Sequence, residues 1–322
     1  MFYENDVRKA ISILKPDNEP FEIRVKFKDK SLWSGYFNDI DVLIKEMNKL
    51  PKGDCNMYIS LNALKDALMS RSQSNKFSKK TDATTSDKDI EGYEWLLVDI
   101  DPQRPADTPS SDEELKNAKV IANDVYKFLD ELGFEKPIFA LSGNGCHLLY
   151  RIALANTTDN KNLLKKCLDT LDMFFSNDEI KIDTSVFNPA RICKLYGSVA
   201  MKGTPYKTRV HRKSEILGDY HEVKVMDKAY LTKLTALYPE QEESKEKYNN
   251  YNPNSFNVEE WLSGYSISYR KSTFAGGDKY ILGCCPFNSE HKGKDACVFR
   301  GNNGALSFHC FHSSCSDKTW KM

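Results

Sequence analysis

The sequence predicts an α+β protein: a large domain over residues 1–235, a linker over 236–256 and a small metal-stapled module over 257–322. Three observations predict it. Strand and helix signals alternate to about residue 235. The stretch "YPEQEESKEKYNNYNPNS" is then charged, Asn-rich and nearly free of aliphatics, as linkers are. Finally, Cys284, Cys285, Cys297, Cys310 and Cys315 crowd the last segment with His291, His309 and His312, a density that suits a metal site better than a disulfide framework. Cys55, Cys146, Cys167 and Cys193 sit singly in apolar contexts, like the free thiols of a cytoplasmic protein.

The elements follow in order. "PFEIRVKF" and "LWSGYFN" read as strands, "DIDVLIKEMNKL" as an N-capped amphipathic helix and "DCNMYISLNAL" as a further strand. "SRSQSNKFSKKTDATTSDKDIEG" is a polar surface loop. "YEWLLVDIDP" is a buried strand ended by a proline, and "SDEELKNAKVIANDVYKFLDELG" a helix capped by serine, with acids in its first turn and Gly133 at its end. "PIFALSGNGCHLLYRIAL" is a hairpin on Ser-Gly-Asn-Gly; a helix at "NKNLLKKCLDTLDMFFS" leads to "IKIDTSVFNPARICKLYGSVAMKG". A short helix near "NVEEWLSG" precedes the Cys/His cluster.

Lys+Arg and Asp+Glu each number 46, so net charge points to no polyanion and any basic surface is local. No apolar run is long enough to span a bilayer, and "MFYENDVRKAISILKP" lacks the layout of a signal peptide, so no membrane partner is expected.

The chemistry begins at Asp99 and Asp101. Side chains two apart on a strand share a face, and two carboxylates that close repel unless a cation lies between them. Such hard oxygen ligands suit Mg²⁺ or Mn²⁺, and Asp183 ends another alternating run. A D-x-D after a strand is also a common loop cap. After the glycine turn, alternation puts His147, Leu149 and Arg151 on one strand face, and the Ser142 hydroxyl and the turn's N–H groups suit an anion. From Pro189 to Lys213 there is no acid, while Arg191, Lys194, Lys202, Lys207, Arg209, Arg212 and Lys213 fall within it. Polyphosphate and a nucleic-acid backbone would need such a stretch; a solvated basic loop is the plain alternative.

In order and spacing, "WLLVDIDP", "SGNGCHLLYRI" and "IDTSVFNPARICKLYGS" resemble the three catalytic motifs of the archaeo-eukaryotic primase superfamily, and more narrowly the primase-polymerases of phages, plasmids and integrated elements. "MYISLNAL", "TTSDKDI" and "RVHRKSEIL" look like the same group, so the resemblance covers about residues 55–220. It implies an RNA-recognition-like sheet with flanking helices. It also implies template-dependent nucleotidyl transfer, making primers on single-stranded DNA from (d)NTPs with two divalent ions. Carried over residue by residue, Asp99, Asp101 and Asp183 are the metal ligands, and Ser142 and His147 hold the incoming triphosphate. Arg191 and Lys194 match the basic residues after the third acid, and Arg209, His211 and Arg212 are assigned to nucleotide or template contact. The abrupt end at "CSDKTWKM" gives the expectation of a longer native chain, for which family analogy suggests a helicase in the same polypeptide or replisome. Two other readings compete: a replication-initiator module that binds DNA without catalysis, and a metal-dependent nuclease, which leaves the triphosphate hairpin unexplained.

In "CCPFNSEHKGKDACVFRGNNGALSFHCFHSSC" a ligand pair lies near each end, the layout of a zinc ribbon. The preferred Zn²⁺ set is Cys285, His291, Cys310 and Cys315, with His312 and then Cys284 as substitutes and Cys297 packed in the core. So short a domain needs a metal staple. The stretch resembles the zinc ribbons of bacterial and phage primases, but Asn288 stands where those commonly place a histidine, which leaves His291 to replace it. Template capture and a purely structural zinc are both open roles.

Overall fold

Amphipathic spacing writes the first helix. Val7, Ala10, Ile11 and Leu14 recur at helical intervals and are all buried, on α1 (Glu4–Leu14). In the computed structural model the described residues are 1–79, 84–238, 256–274, 277–293, 296–301, 304, 306–310, 312–315 and 318–320. Two compact units divide the chain, Met1–Thr235 and Ala236–Met322. Residues 239–255 of the expected linker lie outside the described residues, as do 80–83 of the expected surface loop.

In the first unit β1 (Phe21–Phe27) and β2 (Leu32–Phe37) form a hairpin, and α2 (Ile40–Met47) is capped by Asp39, whose side chain accepts from Val42 N. β3 (Cys55–Ser60), β4 (Ala63–Leu64) and the long β5 (Ile90–Pro102) precede α3 (Asp112–Glu131). A capping box starts α3, with Ser111 Oγ accepting from Glu114 N and Glu114 accepting from Ser111 N. β6 (Ile138–Leu141) and β7 (Cys146–Ala155) are the expected hairpin, followed by α4 (Thr158–Phe175), β8 (Ile180–Ile182) and β9 (Ile192–Lys194). The unit closes with β10 (Val199–Ala200), β11 (Arg212–Lys213), β12 (Glu215–Leu217) and α5 (Lys228–Thr235).

The strands make two main antiparallel sheets, ordered β2-β1-β3-β9 and β12-β6-β7-β5-β4, with β8 pairing β5. α3 and α4 pack on each other through Phe128 and Phe174, whose ring centroids are 5.6 Å apart, and cover one face of the second sheet. That leaves its opposite face, carrying Leu97, Asp99 and His147, for the site. The molecule is thus of mixed α and β structure with largely segregated antiparallel sheets. The sequence signals assign neither α1 nor α5: α1 has no side-chain cap, and α5, though Asp227 accepts from Ala229 N at its start, spans only eight residues.

The second unit opens with α6 (Val258–Gly264), capped by Asn257 accepting from Glu259 N and Glu260 N. β13 (Tyr269–Phe274) and β14 (Gly277–Leu282) precede a small hairpin of β15 (Cys284–Cys285) and β16 (Asn288–Lys292). β17 (Ala296–Arg300) and β18 (Leu306–Cys310) complete a sheet ordered β13-β14-β17-β18. Val258 and Leu262 of the helix pack with Tyr280, Leu282, Val298 and Phe308 of this sheet.

Candidate active site and metal cluster

Period-two alternation along β5 sends Leu97, Asp99 and Asp101 into one cleft of about 320 Å³. The β5–β7 register sets Asp99 directly opposite His147, so both side chains share that face. His147 Nε2 lies 3.3 Å from Asp99 Oδ1. The other ring nitrogen, Nδ1, hydrogen-bonds the Tyr196 hydroxyl at 2.6 Å, which fixes the ring's orientation. The turn before β7 comes down on the acids: a Cβ on Gly145 would sit 2.3 Å from Asp101 Oδ1, so only glycine fits there. Gly143 takes a φ of 96°, the left-handed geometry the hairpin requires. The first sheet supplies the opposite wall with Lys26, Asn56, Tyr58 and Lys194, and Arg104, Arg191 and Lys202 also line the cleft.

Burial and close charges set the electrostatics of the cleft. Burial works to raise the pKa of Asp99 but is outweighed by His147, Arg191 and Lys202, which hold it below the usual carboxylate range. Burial and the Asp99 charge push Asp101 up to about 6. Asp99 Oδ1 is buried with His147 Nε2 as its neighbour at 3.3 Å, and Arg191 Nε is buried without a hydrogen-bond partner. Burial pushes the Lys194 ammonium down to about 7; its Nζ donates to Asn56 Oδ1 at 3.0 Å and Val199 O at 3.1 Å, both neutral.

Ser142, His147, Arg191 and Lys194 reach this cleft with Asp99 and Asp101. Ser142 does so differently from expectation: its Oγ accepts from Gly145 N at 2.9 Å, so the turn's own closure uses a donor that was expected to face an anion. Asp183 follows β8 with its backbone N–H donating to Asp99 O at 2.9 Å, but its side chain accepts from Ser185 N and does not line the cleft. Arg209, His211 and Arg212 are likewise outside it. Arg209 makes a two-pronged pair with Glu114 at 2.7 and 2.5 Å, Arg212 bonds Asp112 and Ser110 O, each at 2.6 Å, and His211 Nε2 bonds Gly203 O at 2.9 Å. The acid-free stretch finds its acids on the first turn of α3, a juxtaposition that sequence distance hides.

Sequence reasoning missed Arg104, Lys26, Asn56, Tyr58 and Tyr196. Arg104 was within reach of it, since its Nη2 lies 3.7 Å from Asp101 Oδ2, three residues away. Asn56 and Tyr58 carry no local signal, because Lys194, which bonds Asn56 and pairs in register with Tyr58, comes 138 residues after Asn56.

In the second unit Cys285, His291, Cys310 and Cys315 bring their ligand atoms within 4.8 Å of one another, all four side chains buried. Cys285 Sγ and Cys315 Sγ are 3.9 Å apart, and His291 Nδ1 lies 3.4 Å from Cys310 Sγ and 3.5 Å from Cys315 Sγ. Burial and the neighbouring Cys285 push the Cys310 thiol up to about 12. His312 stacks on the His291 ring at 3.7 Å instead of joining the cluster, Cys284 is half-buried beside it, and Cys297 is buried on β17 opposite His309. Asn288 Nδ2 lies 3.2 Å from His291 Nε2, steadying the ring from its far side.

No family model matches the sequence, and no curated protein does. Among solved structures the chain is similar to the AEP domain of the cyanophage S-2L primase-polymerase (PrimPol), at 13% identity and a TM-score of 0.43, over 74% of this chain and 99% of that one. It is also similar to the primase RepB′, at 11% identity and a TM-score of 0.40, over 72% of this chain and 62% of that one.

Proposed function

We propose that the first unit is a template-dependent DNA primase-polymerase of a mobile element, transferring nucleotides onto a 3′-hydroxyl. The observation that carries this reading is the Asp99–His147 pair, set face to face by the β5–β7 register with Asp101 beside it, in a cleft lined by Lys26, Lys194, Arg191 and Lys202. A nuclease would need the acids but not so many cations converging beside them.

The donor set fits Mg²⁺ or Mn²⁺: two carboxylates on one face of a strand, the charge of Asp99 helping to hold the pKa of Asp101 up. Asp99 and Asp101 would hold the ions, with Asp183 joining by a side-chain rotation away from Ser185 N. Held by these carboxylates, divalent ions would supply the chemistry that lowers the pKa of the attacking hydroxyl and stabilises charge on the departing pyrophosphate. His147, oriented by Tyr196, donates to a triphosphate oxygen. Arg191 and Lys194 neutralise the remaining charge and hold the phosphates in line.

The Cys285, His291, Cys310 and Cys315 cluster fits Zn²⁺ in the manner of a zinc ribbon. The spacings match the edge of a tetrahedron with Zn–S of about 2.3 Å, and buried thiols crowded this closely are stable as thiolates only around a cation.

The test is primer synthesis on unprimed single-stranded DNA with labelled nucleotides and Mg²⁺ or Mn²⁺. Wild type is expected to make short products, and Asp99→Ala/Asp101→Ala to lose them by on the order of 100-fold or more. Deleting residues 257–322 tests whether the zinc module serves initiation. Tight DNA binding with no synthesis by wild type would sink the enzyme reading and favour a replication-initiator module.

A further inference from the structure

Beside the cleft lies a second cavity of about 310 Å³, walled by residues 101–108 and Lys202. It shares Asp101, Arg104 and Lys202 with the cleft, so the two are one continuous trough. Its far wall is fixed to the loop that follows Lys202: Thr204 N donates to Asp107 O at 3.0 Å, and a Cβ on Gly203 would meet that same oxygen at 2.2 Å. The loop then turns sharply, with Tyr206 and Arg209 exchanging backbone hydrogen bonds of 3.0 and 2.9 Å. At its tip Tyr206 is 63% exposed, and Lys207, at a φ of 52°, places its ammonium 5.0 Å from the centre of the Tyr206 ring.

An exposed aromatic at the tip of a loop this well anchored calls for an explanation. Arg209 and Arg212 are spent on Glu114 and Asp112 and hold the loop against α3. Lys202 and Lys207 make no ion pair among the described residues, and Met201–Arg212 contains no acid. Asp101 and Asp107 are the acids that line this cavity, the backbone oxygen of Asp107 being bonded to Thr204 N.

We infer that Tyr206 and Lys207 form a stacking platform for the single-stranded DNA that runs through this trough to the acids, an inference that rests on reading the cleft as a nucleotidyl-transfer site. A base face lies on the Tyr206 ring while Lys207 and Lys202 follow the phosphates, the combination that binds single strands without regard to sequence. The loop arginines therefore position this platform and do not touch the strand themselves.

The experiment is fluorescence anisotropy of a labelled single-stranded oligonucleotide with the full chain, run in parallel with primer synthesis. Tyr206→Ala is expected to weaken binding between about 5-fold and about 100-fold, while Tyr206→Phe, which keeps the ring, stays within about twofold of wild type. Lys207→Ala is expected to lower the slope of log K against log salt by about 0.7. The residue is exposed, so thermal melting of the variants should match wild type. Unchanged affinity of Tyr206→Ala, with Asp99→Ala/Asp101→Ala abolishing synthesis, overturns the platform and leaves the polymerase reading standing. Weakened binding by Tyr206→Ala in a wild type that makes no product sustains the platform and removes the polymerase. A wild type that neither binds nor synthesises removes both.

Discussion

Lys194 shows what a single buried charge costs and what it waits for. Its Nζ is bonded to neutral oxygens, with the Tyr58 ring 5.5 Å away, Cys55 nearby and Lys26 set over the same ring at 5.3 Å. No carboxylate repays its desolvation, so burial lowers its pKa to about 7. Between that value and the ~10.4 of a free lysine, the unfolded chain binds a proton that the folded one does not. Stability at this residue is therefore depressed at pH 7 and rises as pH climbs through the window, by at most ~1.4 kcal/mol per pH unit. Urea midpoints of wild type and Lys194→Met at pH 7, 8 and 9 check this. The variant is expected to be more stable at pH 7 and to show a smaller rise, the remainder coming from groups such as buried Lys15, whose pKa is also lowered by burial. An identical rise in both proteins would mean that Lys194 is charged in the fold. An anion in the cleft would restore the withheld charge, which is why a polyphosphate suits this wall.

Among the elements, α3 and the loop over residues 201–212 depend on one carboxylate. Glu114 closes the capping box with Ser111 N and also takes both prongs of Arg209. Glu114→Ala removes both and is expected to destabilise the protein by about 1–2 kcal/mol. Glu114→Gln keeps a cap acceptor and should cost less. Limited proteolysis offers the sharper readout: cleavage within residues 201–212 should speed up in Glu114→Ala, and equal rates would show that the loop is held by Thr204 and Arg212 alone. This anchor also marks the limit of sequence reading. The Ser142–Gly145 turn and the D-x-D strand were legible because their signals are local: a glycine where φ is positive, and two acids two residues apart. The capping serine and the acids of α3 were equally legible. Their union with Arg209 and Arg212 was not, because about a hundred residues separate them and an acid-free stretch looks the same whether its partner is a phosphate or a distant helix. Tyr196, in the turn after β9, escaped for a similar reason, since its partner His147 lies 49 residues earlier on β7.

For the whole molecule, the two units should respond differently to loss of metal. The first has an extensive apolar core independent of any cluster, from Val7 and Ile11 through Val98 and Leu148 to Leu168 and Leu234. In the second, three of the ten buried residues of the core cluster among the described residues, Cys285, Cys310 and Cys315, are cluster thiols, so without a cation that core loses its centre. Trp261 and Trp320 pack at a tilt with ring centroids 4.9 Å apart in this unit and give it a local reporter. Treating the full chain with a strong zinc chelator is expected to shift tryptophan emission to the red and expose Cys285, Cys310 and Cys315 to a thiol reagent. The backbone circular dichroism of the first unit, which holds α1 to α5, should persist, as should reagent resistance of Cys146, Cys167 and Cys193, whose burial does not depend on the cluster. Returning Zn²⁺ should reverse both changes, because the ligands come from three strands and the turn after β18 and can only be gathered by folding. Thiols that stay protected after chelation would show that apolar packing alone holds the unit, and the case for a metal staple would then fall.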